Sequence, residues 1–273
     1  VIRHRLPLGL LTALVLTCPC RAGAQTRDGF LNPPPAGNFL TTDASTGGLQ
    51  LGYEHRRSFA DEAGMVVLRP STLAGIGFGD AAVAGDVRFL FFNFGLTAGY
   101  RQVWRTYAPD RSVEVTRQYR LDLDARKASD NQGWPFGEAR LRLAVPMDRM
   151  ALIINHAVRL EGAPTNSYDW FHSTIHDGGT LFRVDATLFA RFPSIGAIGP
   201  LVRYLDLPRN DRREGEWAFG FTFGTNPGWV KMKNPDLFLF QFLARPGDER
   251  FGIHLLRSPV FVLIAYRLTF GGE

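Results

Sequence analysis

The sequence predicts an all-β chain closed into an antiparallel transmembrane β-barrel of about 12 strands, roughly 10–14. Three observations carry that prediction. Apolar residues recur at every second position over segments longer than strands of soluble domains usually run. Those segments are rich in Gly, Phe, Val and Thr, and a helical period fits almost none of them. Past the N-terminal stretch, no apolar run approaches the roughly 20 residues that a spanning helix needs, so a membrane location requires strands.

Residues 1–24 read as a secretory signal peptide. Arg3, His4 and Arg5 precede a largely apolar run over 6–16, and Ala22-Gly23-Ala24 offers a small-x-small cleavage site before Gln25. A lipoprotein signal is the alternative, but Thr17 and Pro19 stand before Cys18 and Cys20 where a small residue is expected. Cleavage after Ala24 removes both cysteines, so no disulfide or thiolate metal site is expected, and no cofactor. It also removes Arg3, Arg5 and Arg21 and no acid, so the formal charge falls from +5 to +5 − 3 = +2. That balance gives no case for nucleic acid.

Residues 25–37, with Pro33-Pro34-Pro35, form an extended lead, and the barrel is expected over 38–273. Residues 38–44 are a weak strand, followed by a turn at 45–48, a strand over 49–59 and a tight connection at 60–64. A glycine-containing strand over 65–78 is interrupted by Pro70. Residues 87–104 read as one long strand, with Leu90, Phe92, Phe94, Leu96, Ala98 and Tyr100 on one face and Asn93, Gly95, Thr97, Gly99 and Arg101 on the other. Strands over 113–125 and 137–145 repeat the scheme, and Pro146-Met147-Asp148-Arg149 is a tight turn into 150–160. Strands over 180–192 and 216–226 follow; in the latter, Trp217, Phe219, Phe221 and Phe223 oppose Ala218, Gly220, Thr222 and Gly224. Residues 236–245 are more apolar on both faces.

The last strand, 260–270, is the most regular. Val260, Val262, Ile264, Tyr266, Leu268 and Phe270 share one face; Phe261, Leu263, Ala265, Arg267 and Thr269 share the other. With Phe270, Leu268, Tyr266 and Ile264 in that phase, it resembles the C-terminal strand of bacterial outer-membrane β-barrels, which typically ends in an aromatic. The Gly271-Gly272-Glu273 tail departs from that pattern. The resemblance implies a Gram-negative outer membrane, with its lipid and lipopolysaccharide around the wall and the barrel-insertion machinery as partners. It also implies that both termini and the short turns face the periplasm while longer loops lie outside. Counting back from Phe270 puts the turns at 146–149 and 60–64 on the periplasmic side and the segments 162–179 and 210–214 outside. The count reaches about 12 if 250–270 is one strand, with Ser258-Pro259 either a bulge or a turn.

A secreted β-sandwich or a periplasmic barrel also explains period-two alternation. Strand length, the low overall charge of the apolar faces (Arg117 is an exception) and aromatics near strand ends favour the membrane. Trp104, Tyr107, Trp170, Tyr204, Trp217 and Tyr266 suit interfacial girdles.

The faces opposite the apolar ones carry Arg120, Asp122, Glu138, Arg140, Arg142, Arg159, Arg183, Asp185, Arg191 and Arg267, expected to line the interior. Facing a water-filled lumen, they avoid the hydrocarbon cost and set ion selectivity; paired across strands, they fill a narrow barrel instead. The 162–179 segment carries Asp169, Trp170, His172, Ser173 and His176. His172 and His176 have a helical i, i+4 ligand spacing, but flanking glycines and Pro164 indicate a loop, so a solvated outer loop is expected rather than a metal or catalytic site. The spaced glycines of Gly75-Ile76-Gly77-Phe78-Gly79 lack a following helix and read as a turn or bulge. Three functions follow: a passive channel for ions or small polar solutes, anions favoured by the arginine excess; a closed structural or interaction barrel displaying the 162–179 loop; or an outer-membrane lipid-modifying enzyme using His172, His176 or Ser173.

Overall fold

The computed structural model describes residues 35–60, 63–75, 77–104, 132–164, 167–169, 174–192, 195–209, 211–231, 233–245 and 260–272. Its strands are β1 (Gly37–Ser45), β2 (Gly48–Phe59), β3 (Gly64–Ala74), β4 (Phe78–Phe89), β5 (Phe92–Val103), β6 (Gln132–Met147), β7 (Met150–Glu161), β8 (Ser167–Asp169), β9 (Thr174–His176), β10 (Gly179–Phe192), β11 (Gly196–Arg209), β12 (Arg212–Thr225), β13 (Leu237–Ala244) and β14 (Val260–Gly271). All but β8 and β9 join one closed antiparallel barrel, in which each strand pairs with its sequence neighbour and β1 pairs with β14. The pair β8–β9 is a small hairpin inserted between β7 and β10.

The barrel therefore has the twelve strands expected, but not the expected twelve. The stretch 87–104 is two strands: β4 ends at Phe89 and β5 starts at Phe92, with Leu90 at φ 51° in the turn. An apolar turn hides from a reading that looks for Gly, Asn or Pro. β11 went unread because Gly196, Gly199, Pro200 and Pro208 dilute its strand character. In place, Ile198 is exposed on the outer face while Leu201, Leu205 and Leu207 are buried inside. The expected strand 113–125 lies outside the described residues, and the ring closes without it because β5 pairs directly with β6. Residues 246–259, including Ser258-Pro259, also lie outside them; β14 is described from Val260, where it pairs with Ala244.

Strand phase decides which side chains meet which solvent. On β5, Phe92, Phe94, Leu96 and Tyr100 are exposed outward, and on β12 so are Trp217, Phe219 and Phe221. On β14, Ile264 and Phe270 are exposed while Phe261 and Thr269 are buried. Leu96 is 55% exposed and Phe219 55%. An apolar surface continuing around a whole barrel far exceeds the few hundred Å² that a soluble monomer leaves bare. Strands of 12 residues, such as β2, β4, β5 and β7, rise about 30 Å at ~3.3 Å per residue and ~40° tilt, enough to cross an apolar band ~25 Å tall.

The two ends differ. One carries the start of β1, the end of β14 and the connections at 60–63, 90–91, 148–149, 193–195 and 226–236; it is called the terminal end below. The other, the loop end, carries the strand ends that flank 104–131, 162–178 and 245–259 and the shorter connections 46–47, 75–77 and 210–211. The described residues of 162–179 and 211–214 thus lie at the end opposite the start of β1 and the end of β14, and Gly75 and Gly77 fall in the connection between β3 and β4. Closure is made by register from Phe39↔Gly271 to Ser45↔Ala265. It is reinforced inside by Arg267, whose Nη2 donates to Asp43 Oδ2 at 2.9 Å while its Nε donates to Oδ1.

The 226–236 connection is the long exception at the terminal end, and Asp236 organises it. Its carboxylate accepts from Gly228 N at 2.7 Å, Trp229 N at 2.9 Å and Tyr266 Oη at 2.6 Å. Burial alone would raise its pKa, but the Tyr266 hydroxyl and the backbone NH groups of Gly228, Trp229 and Val230 hold it below the usual carboxylate range. A depressed folded pKa contributes stability that is present above the unfolded value and lost as pH falls through the folded one. Acidification below the ordinary Asp range should therefore release this loop, read as a Trp229 fluorescence transition that Asp236→Asn abolishes. A transition that persists in Asp236→Asn would assign it elsewhere.

Candidate functional site: the charged inner wall

Because outward positions are taken by apolar side chains, the alternate positions of each strand face the interior. There the chain concentrates its charge, in clusters set by cross-strand register.

At the loop end, Glu161 at the end of β7 is the hub of one cluster. Arg101 on β5 binds Asp80 on β4 through Nε at 2.8 Å and Nη2 at 2.9 Å, and its Nη1 donates to Glu161 Oε1 at 3.4 Å. Trp134 Nε1 donates to the same oxygen at 2.9 Å, and Arg159 Nε donates to Oε2 at 3.2 Å. Arg159 also lies 4.0 Å over the Phe136 ring and 3.9 Å from Glu138. Arg101 and Glu161 are each 2% exposed. Burying such charges is tolerable only when each meets its opposite, and here each does.

The β8–β9 hairpin folds onto this end. His176 is 1% exposed, with Nε2 3.8 Å from Glu161 Oε2 and Nδ1 2.7 Å from the Asp177 carbonyl oxygen. Thr174, fully buried, donates to Glu216 Oε2 at 3.0 Å and accepts from Arg209, which itself pairs with Glu216. Arg245 adds a 2.6 Å contact to Glu216. His176 is thus not the solvated loop residue expected: glycine-rich flanks signal a loop but not that it turns inward. Asp169 lies in β8, and Trp170, His172 and Ser173 lie outside the described residues. Among the described residues no three His, Cys, Asp or Glu side chains are placed to hold a metal ion.

Midway along the wall of β10–β14 the interior is partly apolar, with Leu201, Ala218, Leu243 and Phe261 clustered together. Arg203 crosses that patch, donating from Nε to Asp185 at 2.7 Å and from Nη2 to Gln241 at 3.2 Å, while Arg183 lies 3.4 Å from Asp185. Beside the seam, Glu54 on β2 is 2.6 Å from Arg56 and 3.6 Å from Arg69.

On β4–β6, Arg140 Nη2 donates to Asp86 Oδ1 at 2.8 Å across the intervening strand β5. The bridge exists because β5 presents Gly95 there: a Cβ at that position would stand 2.5 Å from Asp86 Oδ1 and 3.2 Å from Arg140 Nη2. Gly95→Val should break this pair and lower stability by about 1–3 kcal/mol, the cost of a buried charged group losing its partner. Urea unfolding of the refolded barrel checks this; an unchanged midpoint would remove Gly95 from that role.

Of the residues expected inside, Glu138, Arg140, Arg142, Arg159, Arg183, Asp185, Arg191 and Arg267 occupy inward strand positions, whereas Arg120 and Asp122 lie outside the described residues. Sequence reasoning did not single out Asp43, Glu54, Asp86, Arg88, Glu161, Arg203 or Glu216. Asp43, Glu54, Arg88 and Glu216 lie within strands read from the sequence, Asp86 and Glu161 lie one residue beyond such strands, and Arg203 lies on the unread β11.

No protein-family model matches the chain, and no curated protein matches it. Among solved structures it is similar to one from work on the mechanism behind in-meso crystallization of membrane proteins, with 12% identity over 85% of this chain and 83% of that one, at a TM-score of 0.45. It is also similar to the KdgM porin in complex with disordered oligogalacturonate, with 7% identity over 86% of this chain and 99% of that one, at a TM-score of 0.41. Likenesses at these scores carry no argument about activity. The closed twelve-stranded ring, apolar outside and charged inside, has the architecture of the outer-membrane β-barrel class.

Proposed function

We propose that the chain, cleaved after Ala24, resides in a Gram-negative outer membrane as a porin-like passive channel for ions or small polar solutes. The observation that supports this best is the inner wall. The pairs between barrel strands named above join side chains on the same strand, on neighbouring strands or on strands one apart, such as Arg140 with Asp86 and Arg101 with Glu161. Pairs of this kind run along the wall, whereas a plug is held by contacts across the ring. Arginines on that wall favour anions. Lipid and lipopolysaccharide surround the barrel in this reading, and insertion depends on the barrel-assembly machinery.

The hairpin tied to Glu161 and Glu216 favours a second reading, a closed barrel that serves as a structural or interaction protein. Conductance separates the two. The refolded 25–273 chain should give stable, anion-biased single-channel steps in a planar bilayer. Silence from protein shown to be folded and inserted would overturn the channel reading.

A further inference from the structure

We propose that Arg88, Asn93 and Arg142 form an oxyanion-binding site on the inner wall, taking the carboxylate or phosphate group of a solute in the lumen; the lumenal solute rests on the channel reading above. Register places the three side by side: Arg88 on β4 opposes Asn93 on β5, and Asn93 opposes Arg142 on β6. Directly opposed residues on one face have Cβ atoms about 4.5–5.5 Å apart. All three face inward, since their neighbours Val87, Phe89, Phe92, Phe94 and Leu141 are exposed on the apolar exterior.

These groups stand out because no described carboxylate bonds them. Among the described residues none of the three makes a hydrogen bond or ion pair, and Arg88 Nε, Arg142 Nε and Asn93 Oδ1 are buried without a partner. Elsewhere on this side of the wall the carboxylates are engaged: Asp86 by Arg140, Asp80 and Glu161 by Arg101. Following the row past Arg142 leads to Asn155 and then to Asp185, which Arg203 holds. Like charges set close on a low-dielectric wall repel, and a two-oxygen anion removes that cost by bridging them. Two guanidinium forks match a carboxylate or a phosphate. Both arginines keep part of their surface exposed, so the site is open to a solute.

Binding is measured on the detergent-refolded 25–273 chain by calorimetric titration with inorganic phosphate and, separately, with acetate. Wild type should bind, and the stronger of the two identifies phosphate or carboxylate as the preferred group. Arg88→Gln with Arg142→Gln should weaken binding roughly 10- to 100-fold, as expected for lost charge-assisted hydrogen bonds. Arg88→Lys with Arg142→Lys keeps the charge without the fork and should fall between. Arg57→Gln, outward on β2, should bind like wild type. No binding by folded wild type, or equal binding by the glutamine pair, overturns the site. The bilayer separates this failure from that of the channel. Conducting protein with no bound anion leaves the channel standing without the site, and silent protein that still binds phosphate leaves the site without the channel.

Discussion

Removing the Glu161 carboxylate should be among the most damaging single changes in the barrel. Glu161→Ala leaves Arg101 with Asp80 and Arg159 with Glu138 at 3.9 Å, frees Trp134 Nε1 and releases His176, all within a nearly fully buried cluster. Taking one partner from a buried charge cluster costs roughly 3–5 kcal/mol. The change should appear as an earlier urea midpoint and as faster hydrogen exchange at 174–176, because the hairpin loses its tie to Glu161. The ties that remain, Thr174 to Glu216 and Arg209, and Asp177 N to the Pro208 carbonyl, keep the exchange local. Intact exchange protection in Glu161→Ala would mean that the remaining ties suffice to hold the hairpin.

The second large effect is expected at Arg203, for a different reason. It sits 4% exposed among Leu201, Leu243 and Phe261, so its charge is sustained by Asp185 and Gln241 rather than by water. Arg203→Met should cost roughly 3–5 kcal/mol, chiefly through the carboxylate left facing an apolar patch. Adding Asp185→Leu should recover most of that loss, since the wall there is already apolar. A double variant no more stable than Arg203→Met would show that Asp185 is sustained by Arg183, 3.4 Å away.

Much of the barrel was legible because period two leaves one phase per strand. On β5, β6, β10 and β14 the outward set was read from alternation alone, and the inward set followed. Closure into twelve strands was likewise anticipated, from hairpin parity. What stayed hidden has particular causes. The Leu90-Phe91 turn is as apolar as the strands it joins, so nothing interrupts the pattern. β11 carries two prolines whose missing NH groups argue against a strand, yet both face outward. The Asp86–Arg140 bridge depends on a glycine on a third strand, and no single strand's sequence contains that relation. Asp236 looked like the first residue of a strand, and its role rests on backbone NH groups eight and seven residues before it. The inward turn of the β8–β9 hairpin depends on Glu161 and Glu216, which are distant in sequence.

The central claim is that one face of each strand meets lipid and the other meets water. Adjacent residues on β5 test it: Leu96 points outward, 55% exposed, and Thr97 points inward. The 25–273 chain contains no cysteine, so Leu96→Cys and Thr97→Cys each introduce a unique thiol. The measurement is the labelling rate of each variant in liposomes by a charged, membrane-impermeant maleimide. The account predicts that Thr97→Cys reacts while Leu96→Cys stays unlabelled until detergent is added and the barrel unfolded. Equal, rapid labelling at both positions in the folded protein would contradict a membrane barrel, and no labelling at either would contradict a water-filled interior.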